Sequence, residues 1–122
     1  PVGRWTPSAE GLTAARGGAA NFVAIRHDGG RVSAVMTPPA SGTARAWILD
    51  AEGWLKPDER GADVHVDARG ATYVDVTEPR LYTIANATRA GALKLSPEEP
   101  GLTIDSFVFE VSPGADASPA RP

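Results

Sequence analysis

The 122-residue chain contains no cysteine, one methionine and two histidines. Without cysteine, it holds no thiol nucleophile, no CxxC redox pair and no zinc–thiolate site. It also lacks long apolar runs, and its longest apolar stretch falls far short of the ~18 residues that span a bilayer. A membrane span is therefore not predicted. A chain of this length fits one domain and buries roughly two-thirds of its unfolded surface, so folding requires neither a disulfide nor a metal.

Clustered positive charge is also lacking. Twelve basic residues face fifteen acidic ones, giving a net charge of -3, and the basic residues form no run. A nucleic-acid-binding surface needs a basic patch or stripe that tracks the phosphate backbone. The composition therefore predicts that nucleic acid is not a partner.

Strand-length apolar bursts separated by Gly, Pro and Asp-rich turns make up most of the chain. Helical spacing is not sustained between these turns, whereas period-two alternation recurs, most clearly in the segments 20–28, 31–37, 43–50, 62–67, 71–77, 80–86, 91–95 and 102–111. Short strands at regular spacing are typical of sandwiches. The sequence predicts an all-β domain, a jelly-roll-like antiparallel β-sandwich of about eight strands.

The sandwich is expected to span residues 1–111. Residues 112–122, rich in Pro and Ala, are predicted to be a tail or linker. Both ends of the chain are expected to be cuts inside a longer protein or linkers. Within the sandwich, Asp28-Gly29-Gly30 predicts a tight hairpin between two strands, and Ala68-Arg69-Gly70 predicts a second one.

Catalytic motifs are not evident. The chain has neither a Gly-x-Ser-x-Gly elbow nor a Gly-rich phosphate loop, so we predict a non-enzyme without a cofactor or metal. Two metal hypotheses compete with that prediction. Asp63, His65 and Asp67 share one strand face, and Asp58 and Glu59 could join Asp63 to bind calcium. A solvated polar strand face is the favoured interpretation.

Aromatic side chains offer the better candidates for a binding site. Trp54, Trp47 and Tyr73 are the predicted ligand-binding residues, and Trp5 and Tyr82 are further aromatics of the same kind. An exposed ring suits the apolar C–H face of a sugar, and core packing is the competing role for each of them. Trp54 lies in a turn-rich segment, so it is the residue most expected to be exposed. Trp5 is expected to fasten the N-terminal arm to the sandwich.

Four short segments carry a resemblance to a known family: Gly61–Val64, Pro79–Tyr82, Leu93–Leu95 and Phe107–Phe109. Together with an entry segment at 4–11 and a central strand at 43–50, they resemble the C-terminal domain attached to DipZ-type thioredoxin-like proteins, which are bacterial thiol-disulfide proteins linked to cytochrome c biogenesis. The resemblance covers about residues 4–111. The matching elements are packing signatures, and Glu110 stands where the family has a glycine.

In that family the domain is a jelly roll similar to carbohydrate-binding modules, beside an extracytoplasmic thioredoxin-like domain that carries the CxxC. This chain has no cysteine, so the resemblance implies the accessory domain alone and no redox residue is carried over. The function it implies is non-catalytic docking to a partner protein, to a thioredoxin-like domain of the same parent protein or to cell-envelope glycan, in an extracytoplasmic location. A free-standing carbohydrate-binding module is the alternative.

Overall fold

The computed structural model describes residues 2–8, 11–18, 21–40 and 42–110. These residues form eleven β-strands and one 3-10 turn at Pro57–Glu59. The strands are β1 (Trp5–Ser8), β2 (Gly11–Ala14), β3 (Val23–His27), β4 (Gly30–Thr37), β5 (Ala44–Asp50), β6 (Gly53–Trp54), β7 (His65–Val66), β8 (Thr72–Val76), β9 (Arg80–Ala87), β10 (Gly91–Pro97) and β11 (Thr103–Glu110).

The strands form two antiparallel sheets packed face to face. The five-strand sheet has the order β1-β2-β11-β4-β9, and the six-strand sheet has the order β3-β10-β5-β8-β7, with β6 also paired to β5. Eight of the strands pair as a long hairpin rolled upon itself: β2 with β11, β3 with β10, β4 with β9 and β5 with β8. This first-with-last pairing is that of a jelly roll. The predicted fold class is therefore confirmed, and β1, β6 and β7 are short additions to it.

The core lies between the sheets and follows the period-two alternation of the strands. Val32, Ala34 and Met36 of β4 are fully buried. Between them, Ser33 is also buried and Val35 is half-buried. Ile48 of β5 and Tyr82 of β9 are among the largest side chains that are fully enclosed. Because these positions fill the interior, the intervening residues of β5 and β8 are left to build an outer surface.

The hairpin predicted at Asp28-Gly29-Gly30 is wrong. Gly29 and Gly30 do adopt positive φ angles, 95° and 88°, as such a turn requires. However, β3 pairs with β10 in one sheet and β4 pairs with β9 and β11 in the other. The turn therefore carries the chain across the sandwich. The predicted hairpin at 68–70 is confirmed, because His65 and Val66 pair with Tyr73 and Thr72.

Two β-bulges change which faces the side chains occupy. Pairing of β4 with β9 shifts at Val32/Ser33, and pairing of β11 with β4 shifts at Ile104/Ser106. A bulge inserts one residue and breaks the alternation. Strict alternation along β9 would place Ala85 on the same face as Leu81, but Ala85 is buried, whereas Leu81 is exposed.

The terminal Phe-x-Phe pair is only half of a core element. Phe107 packs against the core, while Phe109 is 51% exposed. Val111 and the predicted tail at 112–122 lie outside the described residues. In the ranges that the structure covers, no helix is long and apolar enough to cross a membrane.

Candidate aromatic binding face

An aromatic row crosses the outer face of the six-strand sheet. It consists of Trp54, Trp47, Tyr73 and His65, contributed by β6, β5, β8 and β7 in that order. Adjacent ring centroids are 5.7 Å apart for Trp54 and Trp47, 5.6 Å for Trp47 and Tyr73, and 5.6 Å for Tyr73 and His65. The row forms because strand register places Trp47 opposite Tyr73 and Tyr73 opposite His65.

Exposure differs along this row. Trp54 is 42% exposed, as predicted from its turn-rich surroundings. Trp47 and Tyr73 are half-buried beneath their neighbours. The three residues predicted from the sequence as a binding set are therefore brought together in space, with Trp54 the most accessible.

Tyr73 differs from the two tryptophans because the guanidinium of Arg45 stacks on its ring. The guanidinium carbon of Arg45 lies 3.7 Å from the Tyr73 ring centroid and 5.6 Å from that of Trp47. An ion pair of 3.0 Å between Arg45 Nε and Asp75 Oδ1 fixes this position, and the hydrogen bond to Asp75 raises the pKa of Arg45 further above its usual value. Tyr73 therefore supports Trp47 from the side and presents little free ring of its own.

A cavity of about 450 Å³ opens beside the two tryptophans. Trp47, Trp54 and Leu49 supply much of its apolar wall, and Tyr73 does not line it. This volume lies in the range of small-molecule sites, which combine an apolar wall with a few polar groups. The polar groups here are Asp67, Arg69, Lys94, Ser96 and Glu98.

The charged groups of this cavity differ in whether they already interact with other groups of the protein. Asp67 Oδ1 accepts hydrogen bonds from the backbone N–H groups of Ala71 and Arg69, both at 2.9 Å, and these bonds lower the pKa of Asp67. Lys94 Nζ lies 4.3 Å from the ring centroid of Phe22. Within the described part of the chain, the side chains of Arg69 and Glu98 form no ion pair or hydrogen bond.

Comparison with known proteins does not assign this site. No protein-family model matches the chain, and searches of curated proteins and of solved structures also find no match. The resemblance to the DipZ-type accessory domain therefore stays a prediction.

A buried threonine that the sequence reasoning missed holds the Trp54 hairpin against the sheet. Thr72 Oγ1 donates to the carbonyl of Ile48 at 2.6 Å and accepts from the backbone N–H of Leu55 at 3.2 Å. Leu55, next to Trp54, is itself buried. A polar residue at a core-facing position of an alternating strand was the available sign, because such groups need internal partners.

The three-residue metal hypothesis is not supported by side-chain placement. Asp63 Oδ1 accepts from Arg80 Nη2 at 2.9 Å, and Asp63 Oδ2 accepts from the Thr83 backbone N–H at 2.8 Å. Asp67 is held within its own turn, and His65 packs beside Tyr73. No group of three potential metal ligands forms among the residues that the structure describes. The calcium hypothesis for Asp58, Glu59 and Asp63 is therefore not supported either.

The two remaining aromatic candidates have structural positions. Trp5 packs against the core, as expected for the N-terminal arm, and its Nε1–H donates to the Val2 carbonyl at 2.9 Å. Tyr82 is buried, and its hydroxyl donates to the Glu78 carbonyl at 2.7 Å while accepting from the N–H groups of Thr77 and Glu78. Neither residue lies in the aromatic row.

A second, smaller cavity of about 120 Å³ lies at the end of β3. Its walls include His27, whose side chain is buried. His27 Nδ1 accepts a hydrogen bond from the Gly29 N–H at 3.2 Å. Glu52, paired with both Lys56 and Arg89, also lines it. Glu52 here is paired with two cations, whereas Arg69 and Glu98 beside Trp54 form no ion pair among the described residues.

Proposed function

We propose that this domain is a non-catalytic module that binds carbohydrate on the outer face of the six-strand sheet. The observation that carries the proposal is the pairing of Trp54 with Trp47 along a cavity of about 450 Å³. The apolar face of a sugar ring packs on aromatic rings, which offer large contact area at low entropic cost. Trp54 is exposed and is not among the residues of the core between the sheets.

The polar rim supports the same proposal. A sugar presents hydroxyl groups around its ring edge, and each hydroxyl both donates and accepts. Arg69 and Lys94 supply donors beside the cavity, and Asp67 and Glu98 supply acceptors. Stacking from one side and hydrogen bonding from the rim are the two kinds of contact that a sugar needs for oriented binding.

The accessory role implied by the family resemblance is compatible with this site. In that proposal the domain belongs to an extracytoplasmic thiol-disulfide protein, and the aromatic face anchors a neighbouring thioredoxin-like domain to envelope glycan. Sequencing the parent gene tests it. A CxxC-containing thioredoxin domain upstream of Pro1 is expected, and its absence would overturn the accessory role without touching carbohydrate binding.

Carbohydrate binding itself is tested with the Trp54→Ala variant. We expect the wild type to bind members of a glycan array, and Trp54→Ala to weaken that binding at least about tenfold in isothermal titration calorimetry, because truncating a tryptophan anchor removes much of the contact energy.

The matched control is Phe109→Ala, which removes an exposed aromatic ring from β11 in the other sheet. This variant is expected to keep wild-type affinity. Absence of binding to every glycan, or equal loss in both variants, would contradict the proposed function.

A further inference from the structure

We infer that the ligand is a neutral, soluble glycan chain, in preference to an acidic polysaccharide or the surface of a crystalline one. This inference rests on the proposed carbohydrate-binding function and specifies its ligand class. Two observations carry it: the balance of charge around the cavity and the angle between the two tryptophan rings.

The charges that line the cavity sum to zero. Asp67 and Glu98 contribute two negative charges, and Arg69 and Lys94 contribute two positive ones. Arg45 nearby is neutralised by its ion pair with Asp75. A uronate carboxylate entering this cavity meets as much repulsion as attraction, and it also loses its hydration.

Lys94 is the less available of the two cations. Its ammonium group already lies over the Phe22 ring, 4.3 Å from the centroid, in a cation–π contact. Asp67, in contrast, stays ionised because its own turn donates two N–H groups to it. The whole chain carries a net charge of -3, which disfavours approach of a polyanion at longer range.

Neutral hydroxyl groups match this mixed rim better. One hydroxyl can donate to the Glu98 carboxylate while another accepts from the Arg69 guanidinium, so the hydroxyls of one glycan can engage both groups that line the cavity. Hydrogen bonds to ionised partners are about twice as strong as neutral ones. Arg69 attracts Asp67 and Glu98 attracts Arg45 at longer range, but within the described residues neither forms an ion pair, so neither must break one to engage a sugar.

Ring orientation separates a single chain from a crystalline surface. The planes of Trp54 and Trp47 are inclined at 56°, and those of Trp47 and Tyr73 at 68°. A flat polysaccharide surface requires rings that are exposed and coplanar, so that they contact it together. The inclined rings and the half-buried Trp47 instead form a recess that suits a single glycan chain.

The test compares three probes on the same protein. These are soluble neutral oligosaccharides of glucose, xylose and mannose, oligomers of galacturonic acid, and microcrystalline cellulose. We expect calorimetry to show at least one neutral series bound about tenfold or more tightly than the galacturonate oligomers. Neutral binding is expected to vary little with salt, since no net charge is transferred, and the protein is expected to stay unbound in cellulose pull-downs.

A charge-reversal variant makes the comparison sharper. Glu98→Lys changes an exposed side chain and gives the cavity a net positive charge, so galacturonate binding is expected to rise at least about fivefold while neutral binding falls. Thermal unfolding checks that this variant stays folded. Arg69→Gln is the complementary variant and is expected to weaken neutral binding, with galacturonate binding no stronger than in the wild type.

The outcomes distinguish the two proposals. If galacturonate oligomers bind the wild type as tightly as neutral ones, or if cellulose retains it through Trp54, the ligand class is wrong and carbohydrate binding stands. If no saccharide of any series binds, the proposed function itself is overturned.

Discussion

The outer faces of the two sheets differ in how far their polar groups pair with one another. On the five-strand sheet, neighbouring side chains pair with one another: the hydroxyls of Thr13 and Thr103 lie 2.7 Å apart, and Thr37 Oγ1 donates to Asp105 at 3.2 Å. On the six-strand sheet, aromatic rings dominate and Arg69 and Glu98 remain available beside a cavity. A face whose polar side chains hydrogen-bond to one another has little need of a ligand. Polar side chains without such partners, beside exposed aromatic rings, suit ligand binding.

Replacing Trp47 is expected to produce the largest difference between the two faces. Trp47→Ala removes the ring that contacts both Trp54 and Tyr73, so glycan binding should fall at least about thirtyfold. The free energy of unfolding should fall by about 2 kcal/mol, because the side chain is half-buried.

Val35→Ala on the outer side of β4 is the comparison. It should cost at most about 1 kcal/mol and leave binding unchanged. Calorimetry and urea unfolding measure both variants. A Trp47→Ala protein that binds like the wild type would show that the aromatic row is only structural packing.

Thr72→Val should rank second, through loss of support beneath the binding face. The substitution leaves the Leu55 N–H and the Ile48 carbonyl without their buried partner, which is expected to lower the unfolding free energy by about 1–3 kcal/mol. Hydrogen exchange should locate the loosening at β5–β6.

The matched control is Thr13→Val, whose hydroxyl pairs with Thr103 on the half-buried outer face. It should cost under about 1 kcal/mol. Equal losses in the two variants would mean that Thr72 has no special role in supporting Trp54.

Acid is expected to weaken the edge of β9 through Asp63. Partial burial raises the pKa of Asp63, but the hydrogen bonds from Arg80 and from the Thr83 backbone outweigh it, so the net pKa lies below the ordinary 3.8. A lowered pKa gives stability that is present above the unfolded-state value and lost as pH falls through the folded-state value.

Unfolding free energies measured from neutral pH down through about pH 3 should therefore fall less steeply for Asp63→Asn than for the wild type. Asp58→Asn, an exposed carboxylate in the 3-10 turn, serves as the control and should leave the slope unchanged. Identical slopes for the wild type and Asp63→Asn would contradict this contribution.

Surface ion pairs should give the smallest effect and still distinguish the faces. Arg31 and Glu110 pair at 2.6 Å on the five-strand sheet with both side chains more than half exposed, so Arg31→Gln should cost at most about 0.5 kcal/mol. Arg45→Gln should cost about 1 kcal/mol, because Arg45 also stacks on Tyr73. High salt should reduce the loss of unfolding free energy more for Arg31→Gln than for Arg45→Gln. Equal salt dependence of the two losses would contradict the stacking contribution.

The sequence correctly predicted which residues share a face of a strand where the alternation within that strand was sufficient. The alternation in β3 correctly grouped Val23, Ile25 and His27 on one face and Ala24 and Arg26 on the other, and the structure shows that the first face is the more buried. Prediction from sequence failed at the two bulges, because an inserted residue is defined by the partner strand. It also failed at Gly29-Gly30, where positive φ angles fit either a hairpin or a turn between sheets.

The binding-site candidates illustrate the same limit. Their aromatic character predicts Trp54, Trp47 and Tyr73 as binding residues, and the turn-rich surroundings of Trp54 predict its exposure, which the structure shows. Sequence reasoning did not group Arg69, Lys94 or Glu98 with these aromatic residues, because they lie in separate turns and strands and share a cavity only after folding. Likewise, Asn21 is fully buried, its carboxamide accepting from the Arg4 N–H and donating to the Arg16 carbonyl at 2.7 Å.

The sequence by itself determined that this chain forms an all-β sandwich and contains no thiol, because alternation, turn residues and the lack of cysteine are local properties of the chain. Only the tertiary structure decided that β3 and β4 separate into different sheets. It also decided that Tyr73 is covered by Arg45 while Trp47 and Trp54 share a charge-balanced cavity. Those outcomes depend on strand order and register, which long-range packing sets and which no single segment encodes.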